Sequence, residues 1–223
     1  MSIIAEPKIE APDTGKIDLV GLSRAELAAE FERLGLPAFR VKQVWHWMYH
    51  HGVRDFTEMT TIARGMQTEL AEIFDISRPK IATEQSSIDG TRKWLMSFSD
   101  GKMAEAVHIP ESQRGAVCIS SQVGCTLNCR FCHTGTQVMV RNLTPAEIVG
   151  QFMLARDSYK EWPSSKEPRQ LTNIVMMGMG EPLYNYDNVV KALRIVMDEE
   201  GINVSRRRIT LSTAGVVPMI PQL

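Results

Sequence analysis

Gly124-Cys125-Thr126-Leu127-Asn128-Cys129-Arg130-Phe131-Cys132 is the stretch around which this chain is read. Three of the chain's four cysteines fall within eight residues, spaced C-x3-C-x2-C, and the fourth, Cys118, lies seven residues upstream of the first. Core packing does not call for such a cluster. Disulfide pairing does not explain it either, because three is odd and the spacings are too tight for easy bridging. Soft thiolates gathered on one short loop suit a zinc ion or an iron–sulfur cluster. Structural zinc takes four protein ligands, usually as two separated pairs. Here His133 directly follows the third cysteine, so a Cys3His zinc site competes with a cluster held by three thiolates that leaves one iron open to a small molecule.

Upstream of the loop, Ala116 to Ser121 reads as a strand, with Cys118 and Ser120 on one side and Val117 and Ile119 on the other. Cys118 is then either a small core thiol or a reactive thiol aimed at the cluster side. Arg92 to Phe98, the turn Asp100-Gly101 and Met103 to Ile109 form a hairpin. Glu105 shares a face with Val107 and Ile109. A carboxylate on an otherwise apolar face sits either at a sheet edge or in a site that raises its pKa.

Downstream, Thr144-Pro145-Ala146-Glu147 opens a helix with a cap, a first-turn proline and a capping-box glutamate. Ile148, Val149, Phe152 and Met153 supply its buried stripe, and Trp162 to Arg169 reads as an exposed loop. Leu171 to Met177 reads as a strand covered on both sides. It ends in Gly178-Met179-Gly180-Glu181-Pro182, where glycines let a ligand approach the backbone and Glu181 can accept from an ammonium group. A helix from about Asp187 to Glu200 and a strand from Ile209 to Ser212, introduced by Arg206-Arg207-Arg208, follow. This order is a βα repeat, hence an α/β fold with a parallel sheet. Ligands gather at the carboxyl ends of such strands. The cysteine loop, Gly178–Pro182 and Ser212 all fall at those ends.

The N-terminal part has a different character. Met1 to Lys16 reads as a disordered lead-in. Ser23 and Glu26 form a capping box for a helix carrying Leu27, Phe31 and Leu34 on one face. A second helix, about Ala38 to His51, has Val41, Val44, Trp45 and Met48 as its core stripe, with Trp47 and Tyr49 outside it among basic groups. That surface is either a nucleic-acid contact or, more simply, a wet face. His46 and His50 stand at i, i+4, but no glutamate accompanies them in HExxH fashion, so they are not read as a metal pair. A third helix spans about Ile62 to Phe74. The resulting division is 1–16 lead-in, 17–80 helical accessory domain, 81–112 hairpin extension and 113–223 core.

The 223 residues carry a net charge of −1, so nucleic-acid binding requires a local basic face rather than a polycationic whole. No apolar run is long enough for a bilayer span, and the first residues lack the apolar run of a signal peptide. A thiolate cluster without an export signal predicts a cytoplasmic home.

Gly124 to Gly135, Arg141-Asn142-Leu143-Thr144 and Met177-Gly178-Met179-Gly180-Glu181-Pro182-Leu183 together resemble the radical S-adenosylmethionine (SAM) RNA adenine C2-methyltransferases. The resemblance covers most of the chain, the helical N-terminal part included. It implies a (βα) radical SAM barrel, here partial, preceded by a small helical domain and a β-hairpin. Cys125, Cys129 and Cys132 would hold three irons of a [4Fe-4S] cluster, with SAM on the fourth. Gly180, Glu181 and Ser212 would bind SAM, Cys118 would resolve a covalent RNA–enzyme intermediate, and Glu105 would be the general base. The implied substrates are 23S rRNA in the peptidyl-transferase region and tRNA beside the anticodon. An electron donor such as a flavodoxin or ferredoxin is also implied, with a monomeric enzyme and no membrane partner. A sister group that methylates carbon 8 shares much of the pattern; another radical SAM class and a zinc-binding RNA module compete with both. The family carries a methyl-accepting cysteine near its C-terminus, and no cysteine follows Cys132. The expectation is therefore an N-terminal portion that does not complete turnover alone.

Overall fold

The structure is a computed structural model that describes residues 15–112 and 114–223. The expected lead-in thus lies almost wholly outside the described residues. The first elements are β1 (Ile17–Asp18), α1 (Arg24–Arg33), α2 (Phe39–His46), α3 (Arg64–Ile73) and β2 (Phe74–Asp75). Ser23 caps α1 in the capping box read from the sequence, and Leu27 and Phe31 are its buried residues. β1 and β2 pair in parallel, Ile17 with Phe74, which ties the two ends of this unit together.

Next come β3 (Lys80–Ser86), β4 (Arg92–Ser97), β5 (Met103–Pro110), β6 (Gly115–Cys118), β7 (Gln122–Val123) and β8 (Arg141–Asn142). After them stand α4 (Pro145–Tyr159), β9 (Asn173–Met176), α5 (Tyr186–Met197) and β10 (Ile209–Leu211). The main sheet has six strands in the order β10-β9-β6-β5-β4-β3. β6, β9 and β10 run parallel, as the βα order requires. The hairpin β4–β5 continues this sheet, because β5 pairs antiparallel with β6, Val107 opposite Cys118. β3 extends it further and went unread in the sequence: every one of its residues is exposed, so it has no apolar alternation to betray it.

The sheet has one filled face and one open face. Trp94, Met96, Ala104, Ala106, Val117, Ile174 and Met176 are buried in a continuous core with α4 and α5. Lys93, Leu95, Glu105, Val107, Cys118 and Val175 alternate onto the other face and are half-exposed. This corrects one expectation: the strand after the Trp162–Arg169 loop is shorter than Leu171–Met177 and is covered on one side only. Val107, on the Glu105 side of β5, lines the open face.

Three ion pairs clamp α1 onto the core, one of them Arg24 Nη1 to Glu200 Oε2 at 2.8 Å. Arg24 forks onto Asp198 at 2.7 and 2.8 Å, and Lys191 Nζ donates to Glu26 Oε1 at 2.6 Å. The expected stripe Val41, Val44, Trp45 and Met48 is buried. Tyr49, read as lying outside that stripe, is wholly buried, and its hydroxyl accepts from the Gly21 amide at 3.0 Å. It is a packing residue, not a nucleic-acid contact. Trp47 stays partly exposed and donates from Nε1 to Thr61 Oγ1 at 2.8 Å.

Candidate metal and cofactor site

The cysteine loop is an excursion between β7 and β8. These two strands pair antiparallel, Gln122 with Asn142 and Val123 with Arg141, and hold the loop's two ends together. Gly124 turns the chain at φ 77°, and a Cβ there would stand 2.2 Å from the Val138 carbonyl oxygen, so only glycine permits this closure. Within the loop, the Cys132 amide donates to Cys129 O at 3.1 Å and the Gly135 amide to Cys132 O at 3.0 Å. Gly135 itself lies against the Cys129 backbone.

All three loop thiols are free and half-exposed. Cys125 Sγ accepts from the Leu127 amide at 3.4 Å. Hydrogen bonds from the Gly135 and then the Thr134 backbone hold the Cys132 thiol below its ordinary pKa, favouring the thiolate a metal needs. Among the described residues, the one trio of His, Cys or carboxylate groups with ligand atoms within 4.8 Å of one another is elsewhere, at His46, His50 and His51. Three soft donors on one short loop suit a thiolate-held metal centre.

β9 delivers the second half of the site. Gly178 fits under the end of β6: its amide donates to Ile119 O at 3.1 Å, and a Cβ would meet Ser120 Oγ at 2.6 Å and Ile119 O at 2.7 Å. Gly180 is held at φ 96° against Gln122. Glu181 is buried, and its two oxygens are taken by backbone amides, Leu183 N at 3.0 Å and Ala214 N at 2.7 Å. The carboxylate read as an acceptor for an ammonium group therefore also stitches the turn after β9 to the turn after β10. Ser212 stands exposed just past β10.

Glu105 and Cys118 share the open face. Cys118 lies opposite Val107, so Glu105 is its diagonal neighbour, about 7 Å away by the geometry of an antiparallel pair. Glu105 Oε1 accepts from Lys93 Nζ at 3.1 Å on the same face. Burial pushes the Cys118 thiol above its ordinary pKa against an opposing hydrogen bond with the Met177 backbone, so it is a thiol rather than a thiolate at neutral pH.

The residue that joins these parts was missed in the sequence. Gln122 is fully buried; its Oε1 accepts from the Glu181 amide and from Thr126 Oγ1, both at 3.1 Å, and its Nε2 donates to Asn142 Oδ1 at 2.8 Å. It links the glycine-rich turn, the cysteine loop and β8. A single glutamine at a strand end carries no periodic signal that would have exposed it.

Comparison with known proteins agrees with this layout. Residues 17–76 match the model of the ribosomal RNA large subunit methyltransferase N-terminal domain, and residues 119–223 match the radical SAM superfamily. A protein of Gluconobacter oxydans (strain 621H), named dual-specificity RNA methyltransferase RlmN, is 65% identical over 223 residues, covering 98% of this chain and 54% of its own length. One of the same name from Rhodospirillum rubrum is 65% identical over 205 residues, covering 92% of this chain and 48% of its own. The crystal structure of a radical SAM methyltransferase from Sphaerobacter thermophilus superposes with a TM-score of 0.84 at 39% identity, over 92% of this chain and 59% of that one. The chain thus spans about half the length of the curated relatives it matches.

Proposed function

The chain belongs to the radical SAM family of dual-specificity RNA methyltransferases, and from that premise we propose that its site serves methylation of adenosine carbon 2 in 23S rRNA and in tRNA next to the anticodon. The observation that supports this reading is one short loop bearing three free, half-exposed thiols in a chain whose open sheet face carries Glu105 and Cys118.

Membership in the radical SAM superfamily implies SAM and an iron–sulfur cluster. Cys125, Cys129 and Cys132 would hold the cluster, and Gly180, Glu181 and Ser212 would border the SAM. Together these groups supply one-electron chemistry, which an electron-poor ring carbon with no nucleophilic lone pair requires. The chain's own residues do the rest. The half-exposed face of β5, β6 and β9 offers an apolar surface of Val107 and Val175 on which a flat base can lie. Glu105, anchored by Lys93, is the residue placed to take a proton from the modified ring. Cys118 is kept as a neutral thiol on the same face as Glu105. The exposed Arg206, Arg207 and Arg208 before β10 offer a local basic face for phosphates.

RNA substrates, an electron donor of the flavodoxin or ferredoxin kind, a monomeric state, a cytoplasmic home and the division into 17–80, 81–112 and 113–223 belong to this proposal. Among the described residues no helix is long and apolar enough to cross a membrane. Anaerobic preparation tests the reading. The expected product is a brown protein with about four irons per chain, whose reduced electron paramagnetic resonance spectrum changes when SAM is added. A spectrum indifferent to SAM, or one colourless zinc per chain, would overturn it.

A further inference from the structure

α2 does not finish as an α-helix. Its continuation, Trp47–His51, is a π-turn closed by Gly52 at φ 71°. A π-turn bonds i to i+5 and brings residue 51 back beneath residue 46, where an α-helix would carry it away. Three histidines meet as a result. His46 and His50 stack with ring centroids 4.3 Å apart, and His51 sets its edge to both, at 5.0 and 5.1 Å. One ring nitrogen from each of the three lies within 4.8 Å of its counterparts.

The rings are held rather than loose. His46 Nδ1 lies 3.1 Å from the Glu200 carbonyl oxygen. A carbonyl can only accept, so Nδ1 carries the proton and Nε2 keeps its lone pair for a ligand. The Trp47 ring packs on His51 at 4.4 Å. An open cleft of about 480 Å³, lined by Lys42, Gln43, His46, His50, Glu199 and Glu200, leads to the trio. Its one cation, Lys42, is already paired with the Glu200 carboxylate, and exposed Glu199 offers countercharge.

We propose that His46, His50 and His51 form a binding site for a divalent transition-metal ion of the zinc class, with water completing a tetrahedral shell. Imidazole donors favour zinc, nickel and copper over magnesium or calcium, and three protein ligands with one open position is a known zinc arrangement. This site lies in the helical N-terminal unit and uses none of the loop thiols. It therefore stands or falls independently of the cluster.

Cobalt(II) is the probe, because its visible absorption reports ligand type. In a chain bearing Cys125→Ala, Cys129→Ala and Cys132→Ala together, one cobalt per chain should bind with visible bands and no sulfur charge-transfer absorption. His50→Gln and His51→Gln should each weaken binding at least about tenfold, a change of about 1.4 kcal/mol. No cobalt binding, or undiminished binding in either histidine variant, overturns the site. The cluster-loaded chain guards against a folding defect in the thiol-free background: zinc retained per chain should fall in His50→Gln while iron stays constant. Equal zinc in the two proteins again overturns the proposal.

Discussion

Glu181 Oε2 accepts the Ala214 amide at 2.7 Å, so one buried carboxylate joins the turn after β9 to the turn after β10. Its other oxygen holds Leu183 N at 3.0 Å. Glu181→Ala leaves two amides without partners, at about 1–3 kcal/mol each. We expect a loss of about 2–4 kcal/mol, read as a lower urea midpoint with an unchanged slope. Glu181→Gln, which keeps one acceptor oxygen, should fall between. An alanine variant within about 0.5 kcal/mol of the parent would refute the stitching role.

The features that were legible beforehand are local ones. The boxes Ser23/Glu26 and Thr144/Glu147 announce α1 and α4 because cap and partner lie three residues apart. The cysteine spacing and the βα order are likewise written in short range. What escaped depends on residues far apart in the chain. β3 is exposed throughout, with Ile81 and Ala82 adjacent rather than alternating, and its pairing with β4 makes it a strand. Tyr49 looked like a surface aromatic until Gly21, 28 residues away, came to its hydroxyl. The π-turn that gathers His46, His50 and His51 leaves no mark in a pattern read at helical period.

Acid should loosen the contact between α1 and α5. Partial burial raises the Glu26 pKa, but the Lys191 ammonium and the Ser23 amide and hydroxyl outweigh it and bring the carboxyl from 4.5 to about 2. A folded-state pKa below the unfolded one contributes stability that is complete above about pH 4.5 and is lost as pH falls toward 2. Glu26 is half-exposed, so solvent screening limits this to about 0.5–1 kcal/mol. Lys191→Met should lower the melting temperature slightly near neutrality, with the difference from the parent shrinking as pH falls through that window. An unaltered acid limb would show that the pair contributes nothing.

Cys118 should be the slow thiol of the four. Burial raises its pKa, so its thiolate fraction at pH 7 is small, whereas backbone hydrogen bonds from Gly135 and Thr134 favour the Cys132 thiolate. Timed alkylation of cluster-free protein, mapped by mass spectrometry, should label Cys132 first and Cys118 last, with the gap closing as pH rises toward 9. Cys118→Ala should leave iron content and colour intact, since Cys118 lies on the sheet face and not among the proposed cluster ligands. Early labelling of Cys118 at pH 7 would contradict the burial argument.

Arg141 decides how firmly the cysteine loop is shut. It sits in β8, the strand that closes the loop, and its guanidinium bridges two other elements. Nη1 and Nη2 donate to the two Glu147 oxygens at 2.7 Å each, while Nε donates to Asp100 Oδ2 at 2.7 Å. The hairpin turn, the start of α4 and the loop's return strand are thereby tied to one side chain. The fork to Glu147 matches a planar guanidinium and not a lysine ammonium, so Arg141→Lys is no conservative change. We expect Arg141→Lys and Arg141→Met to lower global stability by about 1–2 kcal/mol. The sharper effect should be local: the loop opens more often, and each 1.4 kcal/mol lost raises its open population about tenfold. Iron release to a chelator from anaerobic protein should accelerate accordingly, with Met above Lys. Release rates equal to those of the parent would mean that the β7–β8 pairing closes the loop without help from this arginine.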